Sequence, residues 1–494
     1  MLYSSLPSLL LLPFIGAILI ALLPKNKPQL IRNTAISIAS LTLLLSLYLL
    51  GWGDINPTET GLWQSYTHDW HTRLGTSFAL GVDGLSYPMV LLTTLLIWIA
   101  ILASKGIKKQ SKGYYLLIFI LETAILGVFM AQDWALFYIF WEFTLIPLFF
   151  LIDRWGGKKK QAASLNFVLY TMGGSVFMLL SLLLLFDAST AHSFGFEAIA
   201  DGVKNLDNAE QTIIFIGLLI GFGVKMPIFP LHGWLPLAHV EAPSPISILL
   251  SGILLKMGAY GLIRAAVMLP EAAITLQGTL MVIALITITY GGLLAWRQSD
   301  MKKMIAYSSI SHMGIVLLGI SSLNINGFTG AIYQMVAHGL VAGALFMLIG
   351  LLYERTHTRN INDYGSLLKS TPRFAFFIII AFVAGVGLPG TVGFVAELHV
   401  LMGGFERWGW AMIFLSFAVL VSATYGVRTI KRLFTGPVKS HMKDVADLHR
   451  SETFAASILI LCIIVFGFYP NLILNLISPN VAEFIQHIDH VTGR

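Results

Sequence analysis

The sequence predicts an all-α polytopic membrane protein of about fourteen transmembrane helices, and three observations predict it. Of its 494 residues, 56% are hydrophobic and only 11% are charged, whereas soluble domains carry about 25% charged residues. Mean hydropathy is +0.79. Apolar runs of about 20 residues, enough to cross a bilayer, recur from end to end. The third observation is where the charges lie.

The fourteen runs fall near 3–23, 31–50, 84–104, 113–131, 134–153, 162–187, 212–233, 244–268, 274–296, 303–323, 327–353, 373–403, 408–430 and 454–477. The longest polar stretches between them, near 51–83 and 188–211, are too short for a soluble domain. The first run lacks a preceding basic region, so it reads as a retained span rather than a cleaved signal.

The formal charge of +6 could suggest a nucleic-acid partner. Its distribution points elsewhere. With the N-terminus outside, the odd-numbered connections hold 24 of the 31 basic residues, in clusters such as Lys105 to Lys112, Lys158 to Lys160 and Arg428 to Lys443. Only Arg73, Lys204, Arg264, Arg407 and Arg494 fall on the opposite face. That is the positive-inside bias, and it puts both termini on the non-cytoplasmic side.

Within the spans stand four charges that hydrocarbon does not tolerate: Glu142, Lys225, Lys256 and Glu397. A cation at the bilayer centre costs about 2.5–3.5 kcal/mol on insertion scales, and such residues usually mark an ion path. Structural ion pairs and snorkelling at helix ends are the competing reading. Lys256 is beyond snorkelling range of either end of its run. Glu142 and Lys225 are expected to act as a coupled pair.

Two spans are interrupted by glycine and proline: GVKMP at 223–227 and GVGLP at 385–389. Proline inside a helix removes a hydrogen bond and clashes with the preceding turn, and free backbone at membrane depth survives only inside protein or beside a cavity. Paired breaks in two halves, separated by an odd number of spans, point to an inverted-repeat transporter with its site at the breaks. Two unrelated kinks are the plainer alternative.

The tenth run carries Tyr307 with Ser311, and Ser308 with His312, each pair at i, i+4 on one face. The eleventh adds Gln334 and His338 at the same spacing. Such imidazoles can relay protons, hold helices together by hydrogen bonds, or ligate haem iron; the relay reading needs no cofactor. Lys256 and His312 are expected to face one another across water. In the connection PLHGWLPLAHVEAPSP, the residues His232, His239 and Glu241 fit no helical zinc-ligand spacing, which favours a rigid turn that admits protons. Glu122 and Asp133 stay unassigned between a further buried acid and a pairing partner. A single cysteine, Cys462, excludes a Cys-ligated iron–sulfur cluster and an internal disulfide.

The stretches LGVDGLSYP, FWEFTLIPLFFLIDRWGGKKK, FGVKMPIFPLHGWLP, SGILLKMGAYGLIR, DMKKMIAYSSISHMG and IYQMVAHG, spread over residues 80–400, closely resemble the antiporter-like chain-4 (D- or M-type) membrane subunits of the complex I family. WGGKKK followed by LYTMGGS resembles the plastid and cyanobacterial branch. The resemblance implies two inverted five-helix repeats with broken seventh and twelfth helices. These would divide the chain into 1–112, 113–268, 269–432 and a C-terminal helix and tail at 433–494. It implies a proton relay of Glu142 and Lys225, then Lys256, His312 and His338, ending at Glu397. It further implies proton translocation driven by redox chemistry in other subunits. Flavin, iron–sulfur clusters and plastoquinone would all lie outside this chain. Partners would be the F/L-type and B/N-type neighbours, a peripheral redox arm and lipid, in a thylakoid membrane with luminal termini. Leu237 departs from the family's W-L-P-D-x-H turn, a hint of a carbon-dioxide-uptake paralogue. A multisubunit cation/proton antiporter subunit is the alternative.

Overall fold

A computed structural model describes residues 5–52, 61–437, 439, 442 and 444–493; Lys443 and Arg494 lie outside them. The chain is mostly helical, as its apolar runs require. Eleven segments among the described residues are long and apolar enough to cross a membrane, and Leu6–Leu22 and Pro372–Gly385 are shorter apolar helices. The protein is an integral, multi-pass membrane protein.

Burial sorts the helices into two classes. The apolar stretches of Ser244–Met268 and of the central helix, Ile325–Thr356, are buried throughout, while those of Lys160–Ala188 and Gln277–Arg297 are 39% buried. The outer helices show leucine, methionine and phenylalanine outward, as in Leu165, Leu169, Met172 and Phe177, which suits lipid. Lys256, His312 and His338 all belong to enclosed helices. A charge at membrane depth is tolerable where protein surrounds it.

The two interrupted helices end alike. Asn208–Lys225 and Pro372–Gly385 stop 160 residues apart. The same pair of turn hydrogen bonds then follows in each: Ile228 N–H to Gly223 O (3.0 Å) and Leu231 N–H to Ile228 O (2.6 Å), against Leu388 to Val383 (3.3 Å) and Thr391 to Leu388 (3.1 Å). Geometry therefore matches Pro227 with Gly387. The matching letters would instead set Pro227 on Pro389, two residues out of step. At the first break Trp234 Nε1–H donates to Val224 O at 2.8 Å, satisfying a carbonyl that the helix end leaves free.

One small sheet joins the otherwise helical fold. Within the polar stretch 51–83, Gln64–His71 and Thr76–Val82 form an antiparallel hairpin in register Gln64 to Val82, with an irregularity between Asp69 and His71. Residues 53–60 are outside the described segments. The second strand alternates small and apolar side chains, and its Ala79 and Leu80 are buried. A seven-residue strand in a polar connection gives too weak a periodic signal to stand out beside membrane helices. In the C-terminal tail, Asn471–Thr492 is a helix with a buried stripe at Ile473, Ile477, Val481, Phe484 and Ile488.

That helix and the hairpin are joined at one buried knot. Asn480 Oδ1 accepts from Gly84 N–H at 2.7 Å, and its Nδ2 donates to Gly61 O at 3.1 Å. Next to it, Asp83 accepts from Leu85 and Ser86 N–H and pairs with Arg264 at 2.6 Å, and Arg264 also lies against Tyr260 and Phe484. Removing one partner of a buried ion pair costs about 3–5 kcal/mol, and orphaning a buried N–H costs about 1–3 kcal/mol. Asp83→Ala should therefore lower the melting temperature of the purified protein more than Asn480→Ala does. Equal, negligible shifts would show that the knot carries no stability.

Candidate functional site: a buried polar chain

The polar side chains fall into two clusters. In the first, Lys225 is the last residue of its broken helix and is 1% exposed. Its Nζ donates to Thr144 Oγ1 at 2.9 Å and stands 4.5 Å from the Trp141 ring centroid. Thr144 itself sits at the junction of the helices Trp134–Phe143 and Leu145–Trp155. Glu142 and Lys225, expected to act as a coupled pair, are not in contact: no ion pair within 4.0 Å joins them among the described residues. Two residues along a helix are turned about 200° apart, so the helix that aims Thr144 at Lys225 aims Glu142 elsewhere. Glu142 lines an outward apolar hollow with Tyr138, Phe143 and Phe149, its Oε1 buried without a partner. It remains near enough to act on Lys225 electrostatically.

The second cluster is continuous. Lys256 is fully buried and follows a π-helical turn, Leu250–Leu254. Such turns offset the regular hydrogen-bond ladder and recur at functional sites. Lys256 Nζ donates to Ser251 O at 2.5 Å and lies 2.6 Å from His338 Nδ1. The rings of His338 and His312 are 5.5 Å apart. Gln334 Nε2–H donates to His312 Nδ1 at 3.1 Å, and Glu397 Oε1 lies 3.8 Å from that same nitrogen. A cavity of about 20 Å³ is bounded by Ser308, His312, Gln334, His338, Glu397 and Tyr425. That is room for about one water.

Between Lys256 and His312, expected to face one another across water, the structure inserts a third group. His338 stands on Lys256, and His312 comes one step later, because i, i+4 spacing on the central helix carries both Gln334 and His338 to the same side. The serine and tyrosine stripe also divides. Ser308 and His312 turn inward, while Ser311 donates to Ile288 O at 2.9 Å across the helix interface. Glu397 has two exposures: it borders the inner cavity and also an outward hollow of about 340 Å³ with Leu398, Leu415 and Ser416.

Other candidates resolve differently. His232 stacks near Phe229 and Tyr290, His239 lies on Phe346, and Glu241 accepts from Lys159 N–H at 2.8 Å. They do not converge, and no group of three or more His, Cys, Asp or Glu suited to a metal occurs among the described residues. Asp133 caps its helix through Leu136 N–H and holds Ser77 N–H, a structural role. Glu122 is fully buried with both oxygens unpartnered. Sequence reasoning passed over Thr144 and Ser251. Their signal was position: two residues from Glu142, and five before Lys256.

This arrangement can be set beside known proteins. Residues 131–422 match the family described as NADH:quinone oxidoreductase/Mrp antiporter, and residues 8–132 match NADH-ubiquinone oxidoreductase chain 4, amino terminus. The chain belongs to this family, as a chain-4 type membrane subunit. Among its relatives, NAD(P)H-quinone oxidoreductase chain 4 1 of Synechococcus elongatus is 41% identical, over 94% of this chain and 89% of that one. NAD(P)H-quinone oxidoreductase chain 4 2 of Thermosynechococcus vestitus is 39% identical, over 97% and 91%. NADH-quinone oxidoreductase subunit M of Rhodobacter capsulatus is 38% identical, over 96% and 95%. A chain of respiratory complex I from Thermus thermophilus superposes with a TM-score of 0.89 at 31% identity, covering 97% of this chain and 99% of its own. A chain of the Mrp complex from Dietzia shares the fold, with a TM-score of 0.84 at 24% identity, over 98% and 52%.

Losing a charge-assisted hydrogen bond inside protein costs about 1.5–3 kcal/mol. Thr144→Val, which keeps the shape and removes Lys225's hydroxyl partner, should lower proton translocation by the assembled complex several-fold, and Thr144→Ser should restore it. Equal activity in Val, Ser and wild type would separate Thr144 from Lys225 function.

Proposed function

We propose that the chain is a proton-translocating membrane subunit of a multisubunit NAD(P)H- or ferredoxin-driven quinone oxidoreductase, moving protons along its buried polar chain while other subunits do the redox chemistry. One observation carries the reading: Lys256, His338, His312 and Glu397 succeed one another inside enclosed helices, with space for a water at the end of the series. Lysine, imidazole and carboxylate can each gain and lose a proton, and a desolvated site lets small field changes move that proton. With one cysteine, the chain has no means of holding an iron–sulfur cluster through thiolates.

The same reading assigns roles by position. Glu142 and Lys225 belong to a first relay segment, coupled through the field rather than by contact. Lys256, His338 and His312 form the central axis, and Glu397 ends it. Glu142 and Glu397 each border an outward hollow, where adjoining antiporter-like subunits would dock. Fourteen crossings, repeats over 113–268 and 269–432, and both termini opposite the lysine-rich face complete the arrangement. Likeness to cyanobacterial chains supports a thylakoid membrane and plastoquinone as acceptor. The Rhodobacter relative, at nearly equal identity, supports a quinone acceptor without that restriction.

The shared fold of the Mrp complex favours a second reading, a subunit of a multisubunit cation/proton antiporter. Purification separates the two: flavin- and iron–sulfur-bearing subunits should elute with this chain if the first reading holds, and antiporter subunits alone would support the second. For the relay, Glu397→Gln and His338→Phe should each cut substrate-driven proton translocation at least tenfold while the complex assembles. Full translocation by both variants would remove the relay from the account.

A further inference from the structure

On the lysine-rich side of the molecule a cavity of about 280 Å³ opens between Glu241, Ala242, Lys302, Glu354 and Arg359. At its wall Lys302 Nζ donates to Ala242 O at 2.5 Å. Three residues before Ala242, on the short helix Leu235–Glu241, stands His239. It is fully buried, and both of its ring nitrogens lack a hydrogen-bond partner. Buried polar atoms in folded proteins are nearly always satisfied, so two orphaned nitrogens on one ring ask for water or a proton path. Packing alone does not explain an imidazole here. Its ring lies flat on Phe346 at 4.7 Å, where phenylalanine or leucine would bury more cheaply.

From His239 a line of small polar groups runs toward the relay. Ser247 Oγ–H donates to His239 O at 3.2 Å. One turn on is Ser251, whose hydroxyl pairs with Ser309 at 3.0 Å and whose carbonyl holds Lys256. Phe346, beneath His239, is eight residues along the central helix from His338, about 12 Å at 1.5 Å per residue. His338 Nε2, the ring nitrogen not used by Lys256, is also buried without a partner. Three unpartnered imidazole nitrogens therefore flank the serines that lie between the cavity and Lys256.

We propose that His239 is the proton-uptake residue of the relay, drawing protons from the cavity at Lys302 and Glu241 and passing them over water held by Ser247 and Ser251 to Lys256 and His338. The inference rests on the proton-translocation reading. A proton from cavity water binds one ring nitrogen and makes the imidazolium. The proton on the other nitrogen then leaves to water on the Ser251 side and ends on the Lys256 amine. Only N–H and O–H bonds form and break, and no electron moves. Burial and the nearby Lys302 and Lys256 act against the imidazolium, which keeps the charged ring transient, as a conduit requires.

The test uses the intact complex in sealed vesicles, with substrate-driven proton translocation and complex assembly both measured. His239→Gln keeps a polar side chain of similar reach but cannot titrate. It should lower translocation at least tenfold, with assembly intact, and Lys256→Ala should do the same. If His239→Gln pumps within twofold of wild type while Lys256→Ala is inactive, the uptake assignment is wrong and the relay stands. If Lys256→Ala also pumps normally, the translocation reading itself fails. High-resolution density of the wild-type complex decides independently of how the variants fold. Ordered water on the His239 nitrogens, continuing toward Ser251, is expected; dry apolar packing around the ring on both sides would overturn the proposal.

Discussion

Everything in this fold follows from the cost of keeping ionisable groups out of lipid. Lys256 can stand mid-membrane because the helices Ser244–Met268 and Ile325–Thr356 are enclosed along their whole apolar stretches and because a π turn presents the Ser251 carbonyl to its amine. Enclosure removes the lipid; the π turn and His338 replace the water. Without the outer helices, which present their apolar side chains outward, neither would suffice. The Lys225 site solves the same problem differently. A helix end, a threonine hydroxyl and an indole face receive the ammonium there, and the carboxylate acts only at a distance.

The architecture was legible in the sequence where the signal was hydrophobic and repeated. Twenty-residue apolar runs and the lysine-rich connections predicted a helical membrane protein, and Gly and Pro at 223–227 and 385–389 marked both interruptions. The buried ionisable residues were legible because a charge in an apolar run is conspicuous. Their pairing was not. Which face of a helix a residue presents depends on rotation against neighbours, so Glu142 was matched to Lys225 although Thr144 holds it. His312 was likewise matched to Lys256 although His338 reaches it first. Backbone irregularity was invisible for a related reason: LSGIL reads as ordinary helix, yet it forms the π turn whose Ser251 carbonyl receives Lys256. The hairpin at 64–82 escaped because short strands in a polar connection carry little periodic weight.

The two breaks show how geometry and letters can disagree. The shared G-V-x-[ML]-P pattern drew attention to both places, yet the turn hydrogen bonds align them two residues away from the letter match. In that register Lys225 corresponds to Gly385, so an ammonium at the first break has only backbone at the second. The second half instead carries its charge beyond the break, at Glu397. Similar backbone thus presents a cation at the first break and a carboxylate beyond the second.

The central claim is that Lys256, His338, His312 and Glu397 form one hydrated series. The most direct measurement is density for the intact complex at a resolution that shows water. The account predicts Lys256 Nζ on His338 Nδ1, and an ordered water in the small cavity bonded to at least two of His312, His338 and Glu397. A dry cavity, with Lys256 turned away from His338 in every captured state, would contradict it.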